Sequence, residues 1–235
     1  MTKKTLIMLL CAVVTVTAAA VGTIAYLTDA ASVTNTFTVG NVSIKLEETD
    51  VNPNGQPIDA AGNVTQNPVR KEEGNSYHLL PGQTYVKDPT LTVLKGSEEC
   101  YVRLLVTITH VDKLRGVLGA NFLPQHYVTG WNANVWPCVG VTEGVEKLNP
   151  GTPQEVSVPV AVYEFRYHKT VNAKDTEDVM LEPLFTSFKV PGELSAAQLA
   201  QIAQMETRVE GYAIQTAGFP TADEAWTAFG RQVAP

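Results

Sequence analysis

From residue 36 onward the chain alternates apolar and polar positions in short runs separated by Gly and Pro. Residues 36–48 read TFTVGNVSIKLEE, with Phe37 and Val39, then Val42, Ile44 and Leu46, apolar and polar residues between. That is the two-residue period of a half-buried strand, interrupted at Gly40-Asn41 where the phase shifts as it does at a bulge. Further strands are expected at 90–94 (TLTVL), 101–110 (YVRLLVTITH), 160–171 (VAVYEFRYHKTV), 184–190 (LFTSFKV) and 208–216 (RVEGYAIQT), with turns at Pro81-Gly82 and Gly96-Ser97. The period changes only near the C-terminus. Ser195 precedes AAQLAQIAQME, where Leu199, Ile202 and Ala203 share a face and Gln198 completes a capping-box spacing. Thr221 precedes ADEAWTAFGR, a second helix with Asp223 and Glu224 in its first turn, Arg231 near its end and Gly230 as its C-cap.

Two stretches lack such a pattern. Residues 50–76 carry three Pro, three Gly and five Asn and predict a long surface loop or hairpin excursion. Residues 112–159 are punctuated by Pro124, Trp131, Trp136, Pro137, Pro150, Pro153 and Pro159 and are expected to be irregular. The sum is a mainly β chain, a β-sandwich with two short C-terminal helices. No period of about 20–50 residues repeats, which disfavours a solenoid.

The N-terminus follows different rules. Lys3 and Lys4 precede an uncharged apolar or small run over residues 6–22, and Gly22-Thr23-Ile24-Ala25 supplies small residues at a peptidase site. The run is long enough to span a bilayer, but its second half is rich in Ala and Thr and no basic stop-transfer flank follows. The expectation is a signal helix at 1–25 cut between Ala25 and Tyr26, an N-terminal segment at 26–36 and one β-sandwich domain at 37–235. Cys11 is preceded by Leu10, not by the small residue a lipobox needs.

Composition narrows the function classes. The chain is 44% hydrophobic, too apolar for disorder, and has three Cys, too few for a disulfide-dense scaffold. Removing residues 1–25 takes two Lys and no acid from 17 basic and 24 acidic residues, leaving a net charge of −9. Such a chain repels phosphate backbones and anionic lipid, so nucleic acid is not an expected partner and the membrane is met only during export. Cys100 and Cys138 remain. They can pair in an oxidising compartment, or stand as two buried thiols.

Catalytic patterns are missing from the sequence. A zinc protease needs H-E-x-x-H, whereas His78, His110, His126 and His168 are scattered and three of them sit in or beside strands. There is no G-x-S-x-G elbow and no Gly-rich phosphate loop. Cys100 follows Glu98 and Glu99, an acidic setting that raises a thiol pKa. Neither a catalytic residue nor a cofactor is expected. Asp50, Asn52, Asn54 and Gly55 match the start of a calcium loop, but the twelfth position is Ala61 rather than Glu, and turn chemistry gives the same letters. Tyr101, Tyr127, Trp131 and Trp136 are the aromatics that a carbohydrate-stacking surface would use, or core residues.

The strings GTIAYLTD (22–29) and NTFTVGNV (35–42), followed by LLPGQTYVKDPTLTVLKGSEECYVRLLV (79–106), resemble the TasA/camelysin family. LFTSFKVP (184–191) and EGYAIQTAGFPTADEAWTAF (210–229) resemble its clostridial-type members. The resemblance implies a jelly-roll-like sandwich outside the cell, with a signal cut by a SipW-type peptidase. It also implies assembly with itself into surface or biofilm-matrix fibres by donor-strand complementation. Residues 26–36 have no obvious strand partner in the sequence, and Tyr26, Leu27 and Val33 are the side chains expected to enter an acceptor groove. Camelysin-like members have been described as metalloproteases, but no matching protease motif carries that activity over. The alternatives are a monomeric secreted adhesion or ligand-binding sandwich, relying on Trp131 or Trp136, and, less favoured, a metalloprotease.

Overall fold

The computed structural model describes residues 28–32, 36–39, 42–174 and 177–233. The fold is mainly β. The largest sheet is antiparallel and six-stranded, in the order β2 (Thr36–Val39), β1 (Thr28–Ser32), β13 (Thr207–Gln215), β7 (Cys100–Thr109), β10 (Val156–Arg166) and β9 (Cys138–Leu148). A four-stranded sheet has the order β11 (Val179–Met180), β6 (Thr90–Val93), β3 (Ile44–Thr49) and β4 (Arg70–Lys71). The third sheet sets β12 (Ser187–Lys189) between β5 (Thr84–Val86) and β8 (Val128–Thr129).

The first two sheets bury a shared core. Ile44 and Leu46 of β3 and Leu91 and Val93 of β6 join Val102, Leu104, Val106 and Ile108 of β7, Ala161 and Tyr163 of β10 and Val209 and Ala213 of β13 in one cluster. Alternation on β7 sends Val102 and Leu104 into this core and leaves Arg103 on the opposite face. Arg103 lays its guanidinium 4.3 Å from the Trp226 ring centroid and 5.1 Å from that of Phe229. Those rings belong to α3 (Ala222–Val233), which together with Phe219 covers Ile214 and the outer face of β7 and β13. Each cation–π contact of this kind contributes on the order of 1 kcal/mol.

Several sequence expectations change here. The phase break between Val39 and Ile44 is no bulge within one strand, because β2 and β3 belong to different sheets. The stretch 112–159 contains α1 (Val111–Leu118), the eleven-residue β9 and the start of β10. Pro159 is tolerated inside β10 because pairing with β7 begins only at Val160. The strand expected at 160–171 runs Val156–Arg166, and that expected at 184–190 shortens to Ser187–Lys189. α2 (Ala196–Ile202) has the capping box, with Ser195 Oγ accepting from Gln198 N–H. Gly230 is inside α3, not at its C-cap. There are therefore three α-helices among the described residues rather than two.

The 50–76 excursion is tied down. Val51 bridges Pro57 and Ile58 bridges Val64, and β4 returns to pair with the end of β3. Gly55 is required at its tip. Its φ is +74°, and a Cβ there would lie 2.7–2.9 Å from Tyr85 atoms.

Candidate functional site

Strand edges are the first candidate, because assembly is expected only from the family resemblance and an edge offers the unpaired backbone donors and acceptors it would need. At one side of the large sheet, β1 pairs antiparallel with β13 over five residues, from Thr28 opposite Ile214 to Ser32 opposite Glu210. β1 also pairs with β2, from Thr28 opposite Val39 to Ala31 opposite Thr36. The N-terminal segment thus has a partner within its own chain, contrary to the sequence expectation. Without β1 and β2, that edge of β13 would be open along residues 210–214. The expected cleavage pair Ala25 and Tyr26, and the expected donor side chains Tyr26, Leu27 and Val33, lie outside the described residues.

The opposite edge is β9. It pairs only with β10 among the described strands, and Val139, Val141 and Val145 are 49%, 50% and 71% exposed. Charged side chains accompany them. Glu143 accepts from Arg115 at 2.6 Å, Glu146 from Arg208 at 2.6 Å, and Lys147 meets Glu155 at 2.8 Å. The Arg115 bond holds the Glu143 carboxyl below its usual range. Charges interspersed with apolar residues, and a register shift at Glu164/Phe165, are devices that blunt an edge against uncontrolled pairing.

The two cysteines are free thiols, which overturns the pairing reading. Cys138 lies opposite Phe165 of β10, whose other neighbour is Leu104 of β7, so one whole strand separates the two. Two strand spacings are about 10 Å, beyond the roughly 7 Å Cα separation a disulfide spans. Cys100 is also four residues farther along β7. Burial, and then the charge of Glu99, pushes its thiol up to about 12. Cys138 is exposed.

The calcium-like string is occupied by local bonds. Asp50 pairs with Lys71 Nζ at 2.6 Å, and Asn52 Oδ1 accepts from the Asn54 and Gln56 N–H groups at 3.0 and 3.1 Å. Among the described residues, no three His, Cys, Asp or Glu side chains gather in a metal-holding group. The tryptophans are structural. Trp136 is 1% exposed and donates Nε1–H to Glu182 O, while Trp131 donates to Trp136 O and packs against the core. Tyr127 stacks on Phe122, and Tyr101 packs beside α3. No stacking platform is built from these four residues.

Sequence reasoning missed a buried polar cluster at the end of β3. After Ile44 and Leu46, the inward phase of the strand places Glu48 in the interior, 1% exposed. Glu48 Oε2 accepts from Lys87 Nζ at 2.6 Å, and Lys87 is 7% exposed. Glu48 Oε1 accepts from both the backbone N–H and the Nδ2 of Asn75, each at 2.9 Å. Asn75 Nδ2 donates also to Thr49 O at 2.8 Å, and its Oδ1 accepts from Val51 N–H at 3.1 Å. Next to this set, Asp88 accepts from Thr49 N–H and Oγ1 and from Arg70, whose Nη2 reaches Glu47 O, Asp88 O and Thr90 Oγ1. An aromatic wall borders it: Tyr77, Tyr85 and Phe188 meet with centroids 5.1–5.7 Å apart. Burial, and then the Glu48 charge, pushes the Tyr77 hydroxyl far up from its ordinary value. The legible signal was a carboxylate on the core phase of a strand.

No family model, curated protein or solved structure matches this chain.

Proposed function

We propose that the chain is a secreted structural subunit of an extracellular surface or biofilm-matrix fibre, of the TasA/camelysin kind. Its N-terminal strand leaves its own β13 and pairs with β13 of the next copy. The observation that carries this reading is the place of β1: a five-residue strand at the N-terminal end of the described chain, inserted between β2 and a β13 edge that accepts it in register. An exchanged strand re-forms the same backbone bonds between chains that it breaks within one, so exchange costs little once β1 is released. Donor and acceptor surfaces differ, so the contact is heterologous and propagates as a filament unless it closes. A SipW-type signal peptidase cutting between Ala25 and Tyr26 would free the donor end. The net charge of −9 on the mature chain keeps copies soluble until strands engage.

Negative-stain microscopy of protein starting at Tyr26, beside protein starting at Thr36, tests this. Filaments are expected from the longer form alone. A peptide of residues 26–36 added to the shorter form is expected to restore a capped monomer without filaments. If the longer form stays monomeric across acid, salt and concentration changes, the reading falls.

A further inference from the structure

The Glu48 cluster does more than satisfy buried groups, because it sets an amine, a carboxamide and a carboxyl around one reaction centre. Lys87 Nζ sits on one oxygen of Glu48 at 2.6 Å and Asn75 Nδ2 on the other at 2.9 Å. A single carboxyl therefore bridges the nucleophile and the group that would leave. Asn75 Oδ1, where negative charge would develop, already receives the Val51 N–H at 3.1 Å. Glu48 and Lys87 are removed from water, 1% and 7% exposed, and Asn75 is half-buried.

We propose that Lys87 and Asn75 become joined by an intramolecular isopeptide bond, formed by Glu48 without any cofactor. The proton shared between Lys87 and Glu48 moves to Glu48 Oε2, leaving a neutral amine and a neutral acid, a transfer that removes two buried charges. The Nζ lone pair attacks Asn75 Cγ, and the carbonyl electron pair moves onto Oδ1. Glu48 delivers its proton to Nδ2 and takes one from the newly bonded Nζ. The Cγ–Nδ2 bond then breaks, its electron pair leaving on nitrogen as ammonia. The last proton, held on Glu48, passes to the departing ammonia or to solvent. One amide replaces another, so nothing is oxidised or reduced. The ordinary alternative is a salt bridge and hydrogen bonds that stay unreacted, and chemistry separates the two.

The bond closes the chain between residues 75 and 87, fastening the return of the 50–76 excursion to the segment joining β5 and β6. It is independent of strand exchange and survives or falls regardless of whether filaments form. Peptide mapping by mass spectrometry of the folded full chain reads it wherever the N-terminus begins. Trypsin acting after Lys71 and Lys95 should release residues 72–95 uncut at Lys87. That peptide should be lighter by one ammonia, about 17 Da, and give no backbone fragment ions between Asn75 and Lys87. Glu48→Gln and Lys87→Arg, checked for native circular dichroism, should each lose the modification completely. Cleavage at Lys87 with an unmodified Asn75 in folded wild-type protein, including after prolonged warming below its unfolding temperature, overturns the proposal. A linked Glu48→Gln variant would overturn the role of Glu48.

Discussion

The β3 strand passes through two interiors of opposite chemistry. At Ile44 and Leu46 it enters an apolar layer shared with β6, β7 and β13, where stabilisation scales with area removed from water. Two residues on, at Glu48, the same face enters a polar interior in which a carboxylate, an ammonium and a carboxamide are arranged around one another. The apolar region tolerates approximate fit, because dispersion and area are forgiving. The polar region does not, because each group left without its partner carries its full desolvation cost. One strand therefore combines a general contribution to stability with a demand for one specific geometry.

The sharpest way to break the contrast is to remove one charge. Glu48→Ala should destabilise the chain by about 3–5 kcal/mol, since Lys87 is then buried without a counter-charge. Leu104→Ala in the apolar layer should cost about 2–5 kcal/mol, set by how far the cavity collapses. The two differ in their rescue: Glu48→Leu combined with Lys87→Met should recover only the part of the loss due to the unpaired charge, because the Asn75 N–H and Nδ2 then lack their acceptor and the cross-link cannot form, whereas no distant change restores Leu104. Urea unfolding of the three variants checks both statements.

Alkaline pH probes buried protonated groups outside this cluster. Burial raises the Cys100 thiol and the Tyr212 hydroxyl, each to about 12, so the folded chain holds protons that the unfolded chain has released. Stability is therefore fully present below the ordinary thiol value and is lost as pH rises from there toward about 12. A fall of about 2 kcal/mol between pH 8 and roughly 10.5 is expected from urea midpoints. A flat profile would contradict the burial of Cys100. The smallest effect is expected at the surface of α2, where Ser195→Ala removes the cap that accepts from Gln198 and should cost about 1 kcal/mol.

Period-two alternation made β3, β6, β7, β10 and β13 legible, because each buries one or both faces against the core. The Ser195 helix start was readable for a different reason: capping is local chemistry. β9 escaped notice because an edge strand need not be apolar, and Gly140, Gly144 and Glu143 dilute its Val139, Val141 and Val145 pattern. α1 was lost behind the prolines that follow it, although Val111, Leu114, Val117 and Leu118 hold helical spacing. Which strands become neighbours is set by long-range packing. No spacing between Cys100 and Cys138 could have revealed that β10 runs between them. The Glu48 cluster needs three segments to meet, and only its first member stood out by strand phase.

Pairing β1 with β13 also imposes an order of events in time. Residue 28 meets residue 214, so the first strand of the sheet waits for roughly 180 further residues to be synthesised before its partner exists. At about 5–20 residues per second that delay is on the order of 10–40 s, far longer than a hairpin takes to form. Throughout it, the β1–β2 hairpin is nascent chain without a sheet to join, and under the proposed strand exchange whichever β13 reaches it first, from its own chain or from a finished neighbour, would determine which molecule it completes.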